Sequence, residues 1–425
     1  MKIENEDLEV LSQNPLELFY HGIKSKETKN KYTRTLRKIL NDILENVLQG
    51  SFEDRAAQLV NKTKKDSDWG MSVMLALSKK LKQRSELPKN DPNYLNPTTI
   101  PNYFKPIRKL FEMNNVPLVW RRVIATFPEL DNNEKGRAYT SEEISSMLKF
   151  GNGAIDRAIM LVAASSGIRV GGFNLSWGDI RPVYKIGDKL TFEITESEQA
   201  AATIACAIIT IYKNTPDEYP GFITPEAYES IQDYKKEWIQ QIGKEPKPEE
   251  PLFKKDGAFV RILPPNAIRA RIDDVLKRAG MRTPLVKGKR RHEVPAMNGF
   301  RRFFNKANKE TLSKDSPLAA LIKKEFMMNH TGLIKLDRNY YQAHIFELIE
   351  EYLNAVPNLT ISTEEKAKAE NLVLRNKNTE LEAKNRMIMQ LQIDQEAIKE
   401  ELAKVKKRQE ISERCEIKSK PTTKL

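Results

Sequence analysis

The sequence predicts a mainly α protein with one small β-sheet (an α+β chain): a helical domain, a mixed domain and a C-terminal coiled coil. Three observations predict this. Residues 11–125 carry helical apolar periodicity with no convincing alternating strands. β-branched runs are confined to residues 189–212, and beyond residue 362 apolar residues recur at sevens among charged helix formers.

Composition narrows the partners. A chain of 425 residues has length for two or three domains, each with its own core. Lys and Arg number 71 against 58 Asp and Glu, giving net +13. That excess predicts a polyanionic partner, nucleic acid before anionic membrane. The two cysteines, Cys206 and Cys415, lie far apart, so neither a disulfide framework nor a cysteine zinc site is expected and a reducing cytoplasm fits. The N-terminus is acidic without an apolar stretch, so no signal peptide is expected. No run approaches the roughly 18 apolar residues of a membrane helix. No nucleotide-phosphate loop and no carboxylate–histidine cluster is evident, so neither a cofactor nor a metal is expected.

In chain order, residues 1–10 are a tail and 11–125 the helical domain. Ser25 is the expected N-cap of a helix in which Tyr32, Leu36, Ile39 and Leu40 share one face and Lys and Arg crowd the other. Further helices are expected over 71–81 and 103–113, with Pro88, Pro92, Pro97 and Pro101 breaking between them. Residues 126–138 form a polar linker with Pro and Gly, and the mixed domain covers 139–361. Thr140 to Glu143 carries a helix-start signature before Ile144, Met147 and Leu148. An apolar helix then runs into the turn Ser166-Gly167-Ile168-Arg169, and Trp177-Gly178-Asp179-Ile180 leads into a strand.

Two β segments follow. Residues 191–195 alternate, and 203–212 form a long β-branched run that ends on Lys213 and a turn. Thr224-Pro225 opens a helix, with proline just inside its start. Lys287, Lys289, Arg290 and Arg291 make a basic cluster before Pro295, and Asn298-Gly299-Phe300-Arg301-Arg302 lies on a helix whose i and i+3 positions share a face. Farther on stand Asn329-His330 and, ten and eleven residues after the histidine, Tyr340 and Tyr341. The coiled coil is expected over 362–411. Ala367, Leu374, Leu381, Ile388, Gln395 and Leu402 are spaced by sevens, with Asn371, Asn378 and Asn385 between them. Beyond Ile388 the better seam pairs 388, 395 and 402 with 391, 398 and 405, so the frame shifts. A helix docked back on the body is the alternative. The basic tail, 412–425, is expected to be disordered.

Taken together, these boxes resemble those of the tyrosine recombinases (the phage integrase family). The string Ser166-Gly167-Ile168-Arg169 is similar to the family's first arginine box, Asn298-x-x-Arg301 to its His-x-x-Arg box, and Asn329-His330 followed by tyrosine to its third. The stretch from Tyr212 to Ala227 resembles the archaeal branch particularly. The resemblance covers about residues 11–361 and implies a SAM-like core-binding domain followed by the catalytic domain. It implies Arg169, Lys213, Arg301 and His330 as catalytic residues, and Tyr341 as nucleophile with Tyr340 the alternative. Asn298 stands where the family has histidine: it can donate a hydrogen bond but cannot become cationic or act as a base. Lys287, Lys289, Arg290, Arg291 and Arg302 are expected on DNA phosphates. The implied activity is site-specific DNA recombination or integration, by a viral or mobile-element enzyme, through a 3′-phosphotyrosyl intermediate. The implied partners are double-stranded attachment sites and further copies of the chain, as a dimer through the coiled coil and a tetramer on DNA. The competing readings are a type IB topoisomerase-like enzyme and a non-catalytic DNA-binding protein on the same scaffold.

Overall fold

In the computed structural model, the described residues are 14–129, 136–285, 292–330 apart from 313 and 315, 344–364, and an interrupted set within 366–402. Two compact units form: one from residues 1–136 with 284–293, the other from 137–283 with 294–425.

The first unit is helical. Helices α1 (Pro15–His21), α2 (Lys26–Arg37), α3 (Phe52–Lys65), α4 (Ser67–Glu86), α5 (Ile100–Met113) and α6 (Trp120–Ile124) enclose one core. Ser25 caps α2 by accepting from the Thr28 amide, and Leu36, Ile39 and Leu40 are buried with Tyr32 packed beside them. The chain does not stay α-helical through that face. Lys38–Ile43 is a π-turn in which Leu44 N–H reaches Ile39 O at 2.9 Å. Pro101 does not break the third predicted helix but sits in its first turn, where a missing N–H is harmless.

The second unit holds the sheet. Thr140 and Glu143 form the reciprocal capping box that opens α7 (Ser141–Lys149). Helix α8 (Gly153–Ser166), buried almost throughout, ends at Gly167 in the left-handed conformation, φ 60°. Four antiparallel strands, β1 (Ile180–Ile186), β2 (Lys189–Thr191), β3 (Thr203–Ile211) and β4 (Tyr219–Ile223), lie in the order β2-β1-β3-β4. The expected strand over 191–195 stops at Thr191. Thr191 Oγ1 donates to Glu193 O and accepts from Glu193 N–H, so a side chain takes up the groups a ladder would have used. Strand β4 was not evident in the sequence, because Pro220 and Gly221 disguise it. Helix α9 (Pro225–Ile242), capped by Thr224, packs against α8 and β3. Helices α10 (Pro265–Arg278), α11 (Ala296–Glu310), α12 (Pro317–Met327), α13 (Ile345–Leu353) and α14 (Val356–Leu359) also belong to the unit.

One buried contact ties α13 to the end of α8. Tyr352, with no exposed surface, donates from its hydroxyl to Ser165 O at 2.9 Å. Removing that donor in Tyr352→Phe is expected to lower the stability of this unit by about 1 kcal/mol. The shift of its denaturant midpoint measures this.

Candidate active site

Three helix ends meet around one arginine. The first is the end of α8. Gly167 must be glycine for two reasons: its φ of 60° is strained for other residues, and a Cβ there would lie 2.6 Å from the Phe304 ring. The left-handed turn buries Ile168 and leaves Arg169 exposed before a single 3₁₀ turn, Val170–Phe173.

The second end is the start of α11. Asn298, exposed, is its third residue, and Arg301 follows one turn later. Arg301 Nη1 donates to Gly167 O at 2.6 Å, and Nη2 to Met328 O at 2.6 Å. Nη2 also lies 2.8 Å from His330 Nε2. Burial, then the neighbouring charge of Arg169, pulls the Arg301 guanidinium below its ordinary value, but it remains the cation of the pair.

The third end is that of α12. Asn329 has φ 50°, a conformation asparagine tolerates better than most residues. Its N–H bonds to Phe326 O, while His330 N–H bonds back to Glu325 O, both at 2.9 Å. This is a Schellman closure. It folds His330 over its own helix, so that Nδ1 lies 2.9 Å from Glu325 Oε2. Since Arg301 can only donate, Nε2 accepts and Nδ1 carries the proton: the imidazole is neutral, its tautomer set by Glu325. Burial first, then Arg301, holds its pKa below the ordinary value, against the opposing pull of Glu325.

Lys213 is placed differently. It follows β3 in a tight turn in which Tyr212 and Asn214 both have positive φ. Its Nζ donates to Asp179 Oδ1 at 2.7 Å. Asp179 is buried and also accepts from the amide and hydroxyl of Ser176. The hydrogen bond to Asp179 raises the Lys213 pKa. This turn is tied to the histidine segment, because Asn329 Nδ2 donates to Asp217 O at 3.2 Å. Tyr219, buried at the start of β4, senses the charges of Arg301 and Arg169, which offset part of the rise that burial imposes on its phenol.

The structure thus brings Arg169, Arg301 and His330 together, and holds Lys213 on Asp179 outside their hydrogen bonds. Asn298 is on the arginine helix and open to solvent. Arg302 is half-buried, with Nη1 enclosed and lacking a hydrogen-bond partner. Lys287, Lys289, Arg290, Arg291, Tyr340 and Tyr341 lie outside the described residues. Glu325, Asp179 and Tyr219 were missed in the sequence. Only Glu325 left a signal: asparagine just past a helix end marks a Schellman turn, which brings the next residue back beside C3. Among the described residues no group of three His, Cys, Asp or Glu side chains could hold a metal, and no helix is long and apolar enough to cross a membrane.

No family model and no curated protein matches the sequence. Solved structures do. They are site-specific recombinases and integrases. One is the XerH site-specific recombinase bound to palindromic difH substrate in a post-cleavage complex (13% identity, 76% of this chain and 78% of that one, TM-score 0.42). Another is a lambda integrase dimer bound to a COC′ core site (12%, 78% and 97%, TM-score 0.40). A third is the Tn1549 transposon integrase in complex with a circular intermediate DNA (13%, 80% and 98%, TM-score 0.41). Superpositions this loose transfer no residue role and no activity to this chain.

The electrostatics of His330 can be checked directly. Glu325→Gln removes a carboxylate that favours the imidazolium, so the His330 pKa is expected to fall further. Arg301→Gln removes the opposing charge, so it is expected to rise. Side-chain NMR titration reads both signs.

Proposed function

We propose that the second unit is a phosphoryl-transfer site that breaks and rejoins DNA strands as a site-specific tyrosine recombinase. The observation that carries this is the convergence of Arg169, Arg301 and a neutral His330 on adjoining helix ends. Two guanidiniums suit the non-bridging oxygens of a phosphodiester, whose charge grows in the transition state. The adjacent start of α11 adds a helix dipole that favours an anion.

On this reading a phenol from the segment after His330, Tyr341 or else Tyr340, attacks phosphorus. The O–P bond to tyrosine forms as the P–O5′ bond breaks, leaving a 3′-phosphotyrosyl link. Lys213 donates its proton to the departing 5′-oxygen, and Asp179 holds the ammonium until then. His330 Nε2, the unprotonated nitrogen, can take the phenol proton once the Arg301 guanidinium turns to the phosphate, with Nδ1–H kept on Glu325. Asn298 supplies at most a neutral hydrogen bond where the family has histidine. Attack by another strand's 5′-hydroxyl reverses the steps and conserves the ester bond. Duplex attachment sites and a tetramer on two of them are the partners this reading needs.

The first test is covalent capture on a nicked duplex selected for binding from a random-sequence pool. Wild type is expected to give a denaturation-resistant adduct that disappears in Tyr341→Phe but not in Tyr340→Phe; loss only in Tyr340→Phe would move the nucleophile by one residue. Arg169→Ala is expected to cut adduct formation by at least about a hundredfold while leaving most DNA binding. No adduct from wild type on a duplex it binds tightly would favour the non-catalytic DNA-binding reading. The proposed acid has its own readout. Lys213→Ala is expected to be severely slowed on normal DNA but largely restored on a 5′-bridging phosphorothiolate, whose thiolate leaves without protonation.

A further inference from the structure

The described residues of the helix beyond residue 366 are open to solvent. Every described residue from 367 to 402 is exposed, and residues 381–395 form unbroken helix. A helix docked on the body would bury one face, and none of these described residues is buried. Leu374, Leu381, Ile388, Leu391, Ile398 and Leu402 are each 53–60% exposed. An apolar stripe of that regularity is marginal alone in water and needs a cover.

The pattern of the stripe and its flanking charges names the cover. Core positions alternate by threes and fours through 371, 374, 378, 381 and 385, and again through 388, 391, 395, 398, 402 and 405. Between the two runs come two consecutive steps of three, 385 to 388 to 391, a stammer that overwinds the coil locally without interrupting the stripe. In the first run, with Leu374 and Leu381 at d, Glu370 and Lys377 are at g and Arg375 and Glu382 at e. In the second, with Ile388 and Leu402 at a, Asp394 and Glu401 are at g and Lys399 and Lys406 at e. In a parallel, in-register pair each g residue lies beside the e residue five positions on in the other strand. The four resulting pairs are Glu370 with Arg375, Lys377 with Glu382, Asp394 with Lys399, and Glu401 with Lys406. All four are of opposite sign, in both frames. An antiparallel pair sets g against g and e against e and uses none of these matches.

We propose that the occupant is the same stripe of a second copy, giving a parallel, in-register, two-stranded coiled coil with a stammer near Ile388. Asn371, Asn378 and Asn385 face their counterparts at a, which selects two strands and one register while weakening the seam. The proposal is independent of the phosphoryl-transfer reading, and its failure would leave covalent capture untouched.

The test uses the full chain without DNA. Sedimentation at about ten micromolar, the concentration range a marginal seam still holds, is expected to give twice the 48.9 kDa chain mass. Leu381→Asp with Leu391→Asp is expected to return it to monomer, with the folded body unchanged by circular dichroism. Lys377→Glu sets like charges together twice per dimer and is expected to weaken association roughly tenfold; adding Glu382→Lys is expected to restore it. With Cys415→Ser in the background, Leu381→Cys is expected to form a disulfide-linked dimer under mild oxidation. A monomeric wild type, or a dimer that survives the double Asp change, would overturn the proposal. Failure of Leu381→Cys to cross-link would overturn the parallel register.

Discussion

The second unit depends on one half-buried guanidinium. Arg301 enters its surroundings charged, and burial makes every unmade hydrogen bond costly. It therefore needs acceptors, and it finds them at Gly167 O, Met328 O and His330 Nε2. Those groups belong to the ends of two helices far apart in the chain. The requirement of one side chain thus brings the Arg169 turn and the histidine segment to the start of α11. It also selects the neutral tautomer of His330, because a guanidinium offers only donors.

The anchors are helix termini, and that is physically apt. The last carbonyls of a helix have no partner within it, so Gly167 O and Met328 O are free to accept from a distant arginine. Each end is shaped by a residue suited to left-handed backbone: Gly167 after α8 and Asn329 after α12. The closure at Asn329 does double service. It carries His330 back onto Glu325, and its side-chain amide reaches Asp217 in the turn that bears Lys213. A turn between strands and a turn after a helix are thereby joined by one hydrogen bond.

Charge in the two parts of the second unit works in opposite ways. Around Arg301 like charges are crowded, Arg169 against Arg301 with a depressed histidine between carboxylate and guanidinium. Such crowding of like charges is unfavourable by itself. Along the tail, charges of both signs flank an apolar stripe at regular intervals in the sequence.

Local chemistry was legible without coordinates. The caps at Ser25, Thr140 and Thr224, the glycine at the end of α8 and the long run that became β3 follow from residue type and spacing, whereas Arg169, Lys213, Arg301 and His330 stood out only through the resemblance of their boxes to a known family. What misled was also local: Thr191 turned its backbone on itself where alternation promised a strand, and Pro220 and Gly221 concealed β4. Tertiary structure alone decided which acceptors Arg301 would reach, that Lys213 would be held by Asp179, and that Glu325 would orient His330. Those contacts, apart from the last, join residues from 27 to 134 positions apart. They arise because buried donors and acceptors must pair with whatever packing brings near, and spacing along a chain does not record what packing will bring near.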